Sequence, residues 1–331
     1  MPDQSLSPSD AVVICTRNRP APLEETLQSI AAHPPSVDLL LGIVDASDPD
    51  ALEQNRHLVA TFDALPSEHW HYRGTPSSAR QRNYGLDQLP SSVERVHFID
   101  DDVTIQPGYF EALSETLRTQ PDVGGVGSVV FEDSPSSSAL WAQRVKAFFL
   151  LTHSQPGRVL PSGCTTSAQR PAPVSTPGLR TTEWLNGCAT YRRDLLEETR
   201  FDGILTGYAM LEDLDLSYRV GRTTRLVVQP SAQLHHRRAS ENRLGAERYT
   251  FALLIHRRWF VEKNLPSASH RIAFWWSMLG KFLILLVSTN PDRDEALRGY
   301  LRGLRTIWRR DHALLPPDNA PSDPGGSGGS P

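Results

Sequence analysis

The sequence predicts an α/β fold in which a mostly parallel β-sheet is flanked by helices and followed by an α-helical C-terminal extension. Short apolar runs typical of buried strands alternate with amphipathic helices over the first 240 residues. Several of these runs end in a cluster of polar or acidic side chains. Beyond residue 240 the strand pattern stops, and helical periodicity continues to residue 312.

The N-terminal part of the chain supplies the strand–helix alternation. After the first apolar run, Leu23, Leu27 and Ile30 are spaced as on one face of a helix. Because a connection that contains a helix returns the chain in the same direction, this alternation favours parallel strands. The predicted strands are residues 11–16, 39–44, 70–72, 96–99 and 126–131, and the predicted helices are residues 23–32, 77–86 and 109–117.

The C-terminal part is less regular. Residues 152–182 are rich in Pro, Ser, Thr and Gly, and this composition predicts a flexible loop. A helix from Asp194 and a strand at residues 225–228 follow, and we expect residues 241–315 to form a helical extension. Residues 1–10 and the Pro/Gly/Ser-rich tail, residues 316–331, are predicted to be disordered.

Charge and composition limit the possible partners. The net charge is −4, but residues 1–240 contain 21 Lys and Arg against 29 Asp and Glu, whereas residues 241–312 contain 13 against 7. The acidic front argues against nucleic acid as a partner, because phosphate binding needs a basic face. The basic helical part either contacts an anionic membrane surface or forms a solvated face.

Cysteine content and the N-terminus favour a cytoplasmic protein. The three cysteines are far apart and have no metal-ligand spacing. The first residues lack the basic and apolar regions of a signal peptide, and the longest apolar stretch, residues 274–288, is interrupted by Lys281.

The most informative motif is Asp100-Asp101-Asp102, directly after the apolar run that ends at Ile99. Three adjacent carboxylates at the end of a buried strand repel one another, and a divalent cation with a preference for oxygen ligands relieves that repulsion. Mg²⁺ and Mn²⁺ are such cations. The alternative is an acidic turn that opens the next helix, since Asp is a good N-cap.

Four segments together resemble the inverting family 2 glycosyltransferases of the GT-A fold, whose sheet is Rossmann-like. They are Thr16-Arg-Asn-Arg, Asp45-Ala-Ser-Asp, Asp100-Asp-Asp and Leu211-Glu-Asp-Leu-Asp. The resemblance covers residues 11–240. It implies a nucleotide-sugar half (residues 11–131), an acceptor half (residues 132–240) and a nucleoside-diphosphate sugar as the donor.

The resemblance implies a role for each donor-site residue. Asp100 would lie near the ribose and Asp102 on a Mn²⁺ or Mg²⁺ ion, with Asp101 between them. Asp45 would accept a hydrogen bond from the nucleobase or ribose; its alternative role is to cap a helix or form a turn. Thr16 and Arg17 belong to the first donor-binding segment. Of Arg80 and Arg82, which cannot share one helical face, Arg82 is chosen to reach the donor.

The remaining site residues concern the acceptor and the base. The Glu212–Asp213 pair resembles the family motif that supplies the base, which implies that Asp213, with Glu212 as the alternate, deprotonates the acceptor hydroxyl. Asp215 is expected to cap the helix or to pair with Arg219. Of two adjacent histidines, His235 rather than His236 is expected to complete the metal site. Trp184, Asn186 and Gly187 are assigned to the acceptor or the transferred sugar.

Two other functions remain open at this point. A nucleotidyltransferase would also use carboxylate-bound metal, but it should carry a Gly-rich loop with a Lys near the first strand, which Thr16-Arg-Asn-Arg-Pro lacks. A catalytically inactive binding protein would not need Asp102 and Asp213. The acceptor is expected to be a saccharide or a lipid-linked saccharide. Trp275 and Trp276 either contact a membrane peripherally or pack in a helical hairpin.

Overall fold

The computed structural model describes residues 8–132, 140–171, 178–237 and 244–315. Within these residues, nine strands form one sheet, and ten helices flank it or follow it. The strands are β1 Asp10–Thr16, β2 Leu39–Asp45, β3 Ser67–His71, β4 Arg95–Asp100, β5 Val103–Ile105, β6 Val123–Glu132, β7 Arg180–Thr182, β8 Ala189–Arg192 and β9 Arg225–His236. The helices are α1 Pro20–Ala32, α2 Pro49–Thr61, α3 Ser78–Gln88, α4 Tyr109–Thr119, α5 Leu140–Phe148, α6 Arg193–Glu198, α7 Glu212–Val220, α8 Ala246–Asn264, α9 Ala268–Val287 and α10 Arg293–Arg309.

The strand order explains why the polar segments meet. The order is β3-β2-β1-β4-β8-β6-β9-β5, and β7 pairs with β9. Strands β3, β2, β1 and β4 are parallel, with Thr16 opposite Asp45 and Cys15 opposite Asp100. The ends of β1, β2 and β4 therefore lie side by side at one edge of the sheet, where ligands bind in open α/β folds.

The sheet is mixed beyond β4. Strand β8 is antiparallel to both β4 and β6, whereas β6 and β9 run parallel to each other. The predicted α/β class is confirmed, and the strictly parallel part is confined to the first four strands in the order. Both faces of the sheet are covered: Val13 and Phe98 belong to one apolar cluster, and Ile14 and Ile99 belong to the other.

The helical extension packs on the α/β domain through α8. Trp259 and Phe260 of α8 are buried in the same cluster as the residues of α7. Asp215 of α7 pairs with Arg219, as predicted, and also accepts hydrogen bonds from Lys263 and Asn264 of α8. Helices α9 and α10 continue the packing, and one face of α9 stays exposed.

Several boundaries differ from the sequence prediction. Strand β1 begins at Asp10, inside the segment predicted to be disordered, because the Asp10 carboxylate is buried against Arg95 and His97. The disorder predicted for residues 1–7 and 316–331 lies outside the described residues. The predicted flexible loop is packed where the structure describes it: Leu160, Cys164 and other side chains are buried. Helices α2 and α5 and the short strands β5, β7 and β8 were not predicted.

Candidate functional site

The carboxyl ends of β1 and β4, the N-termini of α3 and α7 and the end of β9 surround one cavity of about 570 Å³. Its walls include the acidic triplet on one side and Glu212 on the other. Of the residues predicted to bind the donor, five line it: Thr16, Arg17, Arg82, Asp100 and Asp101. Asp102, the predicted metal ligand, also lines it.

Asp100, Asp102 and His236 form a candidate metal site. One ligand atom from each lies within 4.8 Å of the other two. The Nε2 of His236 is 2.9 Å from an Asp102 oxygen and 3.9 Å from an Asp100 oxygen. Two carboxylates and one imidazole suit Mn²⁺, which accepts both oxygen and nitrogen ligands. The donor set therefore fits the divalent cation that the sequence predicts.

The histidine in this group is His236, not the expected His235. Both residues belong to β9, where successive side chains point to opposite faces of the sheet. In the ladder with β5, Thr104 is opposite His235 and Val103 is opposite His236. The resemblance could not distinguish two adjacent histidines, because the choice depends on the register of β9.

Asp102 is held in its charged form. Burial raises its pKa, but hydrogen bonds and charge from His236 and Arg19 outweigh burial, and the net pKa is lowered. Asp102 acts on His236 in turn: burial lowers the pKa of His236, but the hydrogen bond that it donates to Asp102 and the charges of Asp100 and Asp102 raise that pKa overall. The Asp102 carboxylate is thus negatively charged at neutral pH, as a ligand of a cation must be.

Asp101 has a different environment. Its side chain is buried, pairs with Arg19 and accepts a 2.7 Å hydrogen bond from the Thr16 hydroxyl. Burial, the largest influence, raises its pKa to about 7 despite the charge of Arg19. Arg19 also donates to Asp102 at 2.7 Å. The guanidinium of Arg19 therefore connects β1 to the acidic triplet, a role that the sequence analysis did not assign to it.

Arg82 connects the two acidic walls of the cavity. Its buried guanidinium donates to Asp100 Oδ1 at 3.2 Å and to Glu212 Oε1 at 3.1 Å. The rings of Phe98 and Phe201 lie 5.8 and 5.4 Å from the guanidinium carbon. Burial lowers the pKa of Arg82, but the charges of Glu212 and Asp100 raise it well above its usual range. The Arg82 guanidinium is thus a buried cation held between Asp100 and Glu212.

Two glycines allow this arrangement. A Cβ on Gly187 would lie 2.9 Å from the Arg82 Nη2 atom and 3.4 Å from an Asp100 oxygen. A Cβ on Gly85 of α3 would lie 2.7 Å from a Val13 methyl group. The 2.9 Å distance at Gly187 and the 2.7 Å distance at Gly85 are shorter than ordinary contacts between heavy atoms. The glycines let α3 approach the sheet and let Arg82 reach the end of β4.

The Glu212–Asp213 pair begins α7. Burial and the charge of Asp213 raise the pKa of Glu212 to about 7, although Arg82 and the Ser78 hydroxyl oppose this rise. Burial also raises the pKa of Asp213, against the opposing charge of Arg82. A raised pKa is expected of a carboxyl group that acts as a general base.

Glu212 and Asp213 differ in contacts and position. Glu212 lines the cavity and uses one oxygen, Oε1, to accept from both Ser78 and Arg82. Asp213 accepts a hydrogen bond from the Leu214 amide; it is not among the residues that line the cavity, and within the described residues it forms no ion pair. Within the described residues, Glu212 thus has an ion pair with Arg82, whereas Asp213 has no ion pair.

Six predicted site residues are not among those that line the cavity: Asp45, Trp184, Asn186, Gly187, Asp213 and His235. Asp45 is fully buried and accepts from the Ser47 amide, Asn55 and His69, while the Ser47 hydroxyl accepts from the Asn18 amide. It forms the turn that was its alternative role. Asn186 bonds Gln169, and Trp184 donates to the Thr166 carbonyl.

The sequence profile described as glycosyltransferase-like family 2 matches residues 8–259. The chain belongs to this family. No curated protein is a significant sequence match to it. Membership makes the chain a glycosyltransferase and argues against the nucleotidyltransferase alternative.

Three solved glycosyltransferase structures share the GT-A fold of this family member. TarS residues 1–349 from S. aureus gives a TM-score of 0.52 at 13% identity, covering 89% of this chain and 80% of TarS. The mannosyltransferase PcManGT from Pyrobaculum calidifontis, in complex with GDP-Man and Mn²⁺, gives 0.55 at 16% identity, covering 95% and 86%. GalNAc-T7 with UDP, GalNAc and Mn²⁺ gives 0.58 at 14% identity, and the match covers 95% of this chain but 60% of GalNAc-T7.

The histidine assignment predicts a clear difference between two neighbouring variants. His236→Ala should weaken Mn²⁺ binding about tenfold or more, because it removes one of three ligand groups, whereas His235→Ala should bind Mn²⁺ like the wild type. Titration calorimetry with MnCl₂ measures both affinities. Asp102→Asn serves as the positive control for loss of binding. Equal affinities of the two histidine variants would contradict the assignment.

Proposed function

We propose that this glycosyltransferase moves a sugar, with inversion, from a nucleoside-diphosphate sugar to a hydroxyl of a saccharide or a lipid-linked saccharide. One observation carries the proposal: the Asp100–Asp102–His236 group and Glu212, the neighbour of Asp213, line one cavity, and Arg82 joins Asp100 to Glu212. Such an arrangement supplies a cation site for the leaving diphosphate next to a base for the acceptor.

The donor half of the proposal concerns the ends of β1 and β4. Thr16, Arg17 and Asp101 form the wall against which the nucleotide would lie, and Asp100, Asp102 and His236 would hold a divalent cation. When bound, that cation would stabilise the negative charge of the departing diphosphate. Asp45 acts indirectly in this proposal, by fixing Ser47 and, through it, the Asn18 backbone at the cavity edge.

We assign the base to Asp213. Its carboxylate has no ion pair among the described residues, and its raised pKa makes it a better proton acceptor than an ordinary Asp. Glu212 is committed to Ser78 and Arg82, so its role is to orient Arg82. The alternative assignment, Glu212 as the base, is favoured by its direct place on the cavity wall.

The acceptor half is proposed from the position of the loop around Gly187. Gly187 lies against Arg82 and Asp100, at the boundary between the donor site and the base. Asn186 and Trp184 shape this loop from behind through Gln169 and Thr166. We propose that the acceptor serves polysaccharide or glycoconjugate synthesis, at the cytoplasmic side of a membrane.

The proposed donor class is tested by ligand-induced stabilisation and by product analysis. A nucleoside diphosphate should raise the melting temperature of the protein more strongly with Mn²⁺ than with EDTA, because the cation and the diphosphate bind together. UDP, GDP and dTDP are compared, each with its sugar conjugates. NMR of the product then gives the anomeric configuration, and retention of the donor configuration would contradict the inverting mechanism. Absence of any nucleotide-dependent shift would contradict the donor class.

The base assignment predicts different results for two isosteric variants. Asp213→Asn should lower kcat about 10²–10⁴-fold with nearly unchanged donor affinity, because it removes proton abstraction but no donor contact. Glu212→Gln should have a smaller effect on kcat, since it weakens only the support of Arg82. Steady-state rates and donor calorimetry measure both. An inactive Glu212→Gln protein beside an active Asp213→Asn protein would reverse the assignment.

The raised pKa values predict the pH dependence of the reaction. Because the assigned base, Asp213, must be deprotonated and its pKa is raised, kcat should fall on acidification at a higher pH than an ordinary Asp would give. Arg82 lowers the pKa of both carboxyl groups, so Arg82→Gln should move the midpoint of this profile to higher pH. Arg82→Lys keeps the charge and should keep the midpoint closer to that of the wild type. An Arg82→Gln profile that coincides with the wild type would contradict the electrostatic role of Arg82.

A further inference from the structure

The exposed face of α9 is apolar from Ile272 to Val287. Seven of its large side chains are exposed, including Ile272 at 70% and Val287 at 79%. They follow helical spacing and form one stripe: Ile272, Trp275, Trp276, Leu279, Leu283, Leu286 and Val287. A helix that packs on a soluble domain normally presents polar residues on its outer face, so this stripe indicates a partner that the structure does not contain.

Helix α5 extends this apolar surface. Its Trp141, Val145 and Phe148 are exposed and spaced as on one helical face. The Trp276 indole donates a 2.8 Å hydrogen bond to the Phe148 carbonyl, and the two rings are 5.3 Å apart. We call the exposed residues of α5 and α9 named in these two paragraphs the α5–α9 face.

The charges of the two helices share one sign. Helices α5 and α9 contain four basic residues, Arg144, Lys146, Arg271 and Lys281, and no Asp or Glu. The chain as a whole has more acidic than basic residues. Lys281 is half-buried, and burial, together with the charges of Arg257 and Lys146, lowers its pKa. This local excess of positive charge beside exposed tryptophans matches the anionic headgroups and acyl chains of a bilayer surface.

The neighbours of α9 determine how it would meet a bilayer. By length and composition alone, α9 is a weak candidate for a membrane span. Its opposite face, however, is buried through Phe274, Met278 and Leu285 in the same core cluster as residues of α8 and α10. The adjacent α10 exposes arginines, which are costly to place in hydrocarbon. These contacts favour a helix that lies in the plane of the interface.

We propose that the α5–α9 face binds the surface of an anionic lipid bilayer, with the apolar stripe of α9 inserted between headgroups. The proposal rests on exposure, charge and helix packing, and it does not depend on the proposed transfer reaction.

Binding of the full chain to vesicles tests the proposal. The wild type should sediment with vesicles of phosphatidylcholine mixed with phosphatidylglycerol, and less with phosphatidylcholine alone; high salt should release it. The double variant Leu279→Gln/Leu283→Gln should bind about tenfold more weakly, because it places two amides in the inserted stripe. Ile204→Gln is the matched control: Ile204 and Leu279 are each 46% exposed, and Ile204 lies outside the α5–α9 face.

A second double variant tests the contribution of the basic residues of α5 to vesicle binding. Arg144→Gln/Lys146→Gln should reduce binding to the anionic vesicles and leave the weak binding to phosphatidylcholine unchanged. Thermal melting confirms that each variant is folded. Failure of the folded wild type to bind anionic vesicles at low salt would overturn the proposal, and so would equal binding of wild type and Leu279→Gln/Leu283→Gln. A wild-type dimer that this double variant dissociates, without vesicle binding, would assign the face to a second copy instead.

Discussion

The candidate site depends on one buried cation. Arg82 is almost completely shielded from water, and an unpaired guanidinium in that position would be very costly. Asp100 and Glu212 compensate its charge. Because Arg82 contacts both acids, it holds the end of β4 close to the start of α7. These two acids are far apart in the chain. The pair of contacts therefore couples the acidic triplet after β4 to the Glu212–Asp213 pair at the start of α7.

The same contact links electrostatics to chemistry. Arg82 opposes the effect of burial on the pKa of Glu212 and Asp213, and it offsets the negative charge of Asp100. Without it, the carboxylates of Asp100, Glu212 and Asp213 would repel one another and bind protons more strongly. The Arg19 guanidinium likewise offsets the negative charges of Asp101 and Asp102. Two arginines thus keep an acidic cavity stable before any cation binds.

The helical extension has two different faces. Helix α8 is joined to the α/β domain by Lys263 and Asn264, which both reach the buried Asp215. These contacts attach the extension to α7. The outer stripe of α9 is apolar and exposed, so the extension has both a face packed on the core and an exposed apolar face. From the sequence, a packed helical hairpin and an exposed apolar surface are alternatives, but in the structure α9 has a packed face and an exposed face together.

The sequence by itself determined the α/β class, the acidic triplet at a strand end and the Glu212–Asp213 segment, because these depend on local periodicity and on residue types adjacent along the chain. Pairing of Asp215 with Arg219 followed from helical spacing in the same way. The tertiary structure decided which of two adjacent histidines joins Asp100 and Asp102 in the candidate metal site, since that depends on the register of β9. It also decided that Asp45 is buried and that Arg82 bridges two acids, because both facts depend on contacts between residues more than ten positions apart in the chain, which no local pattern records.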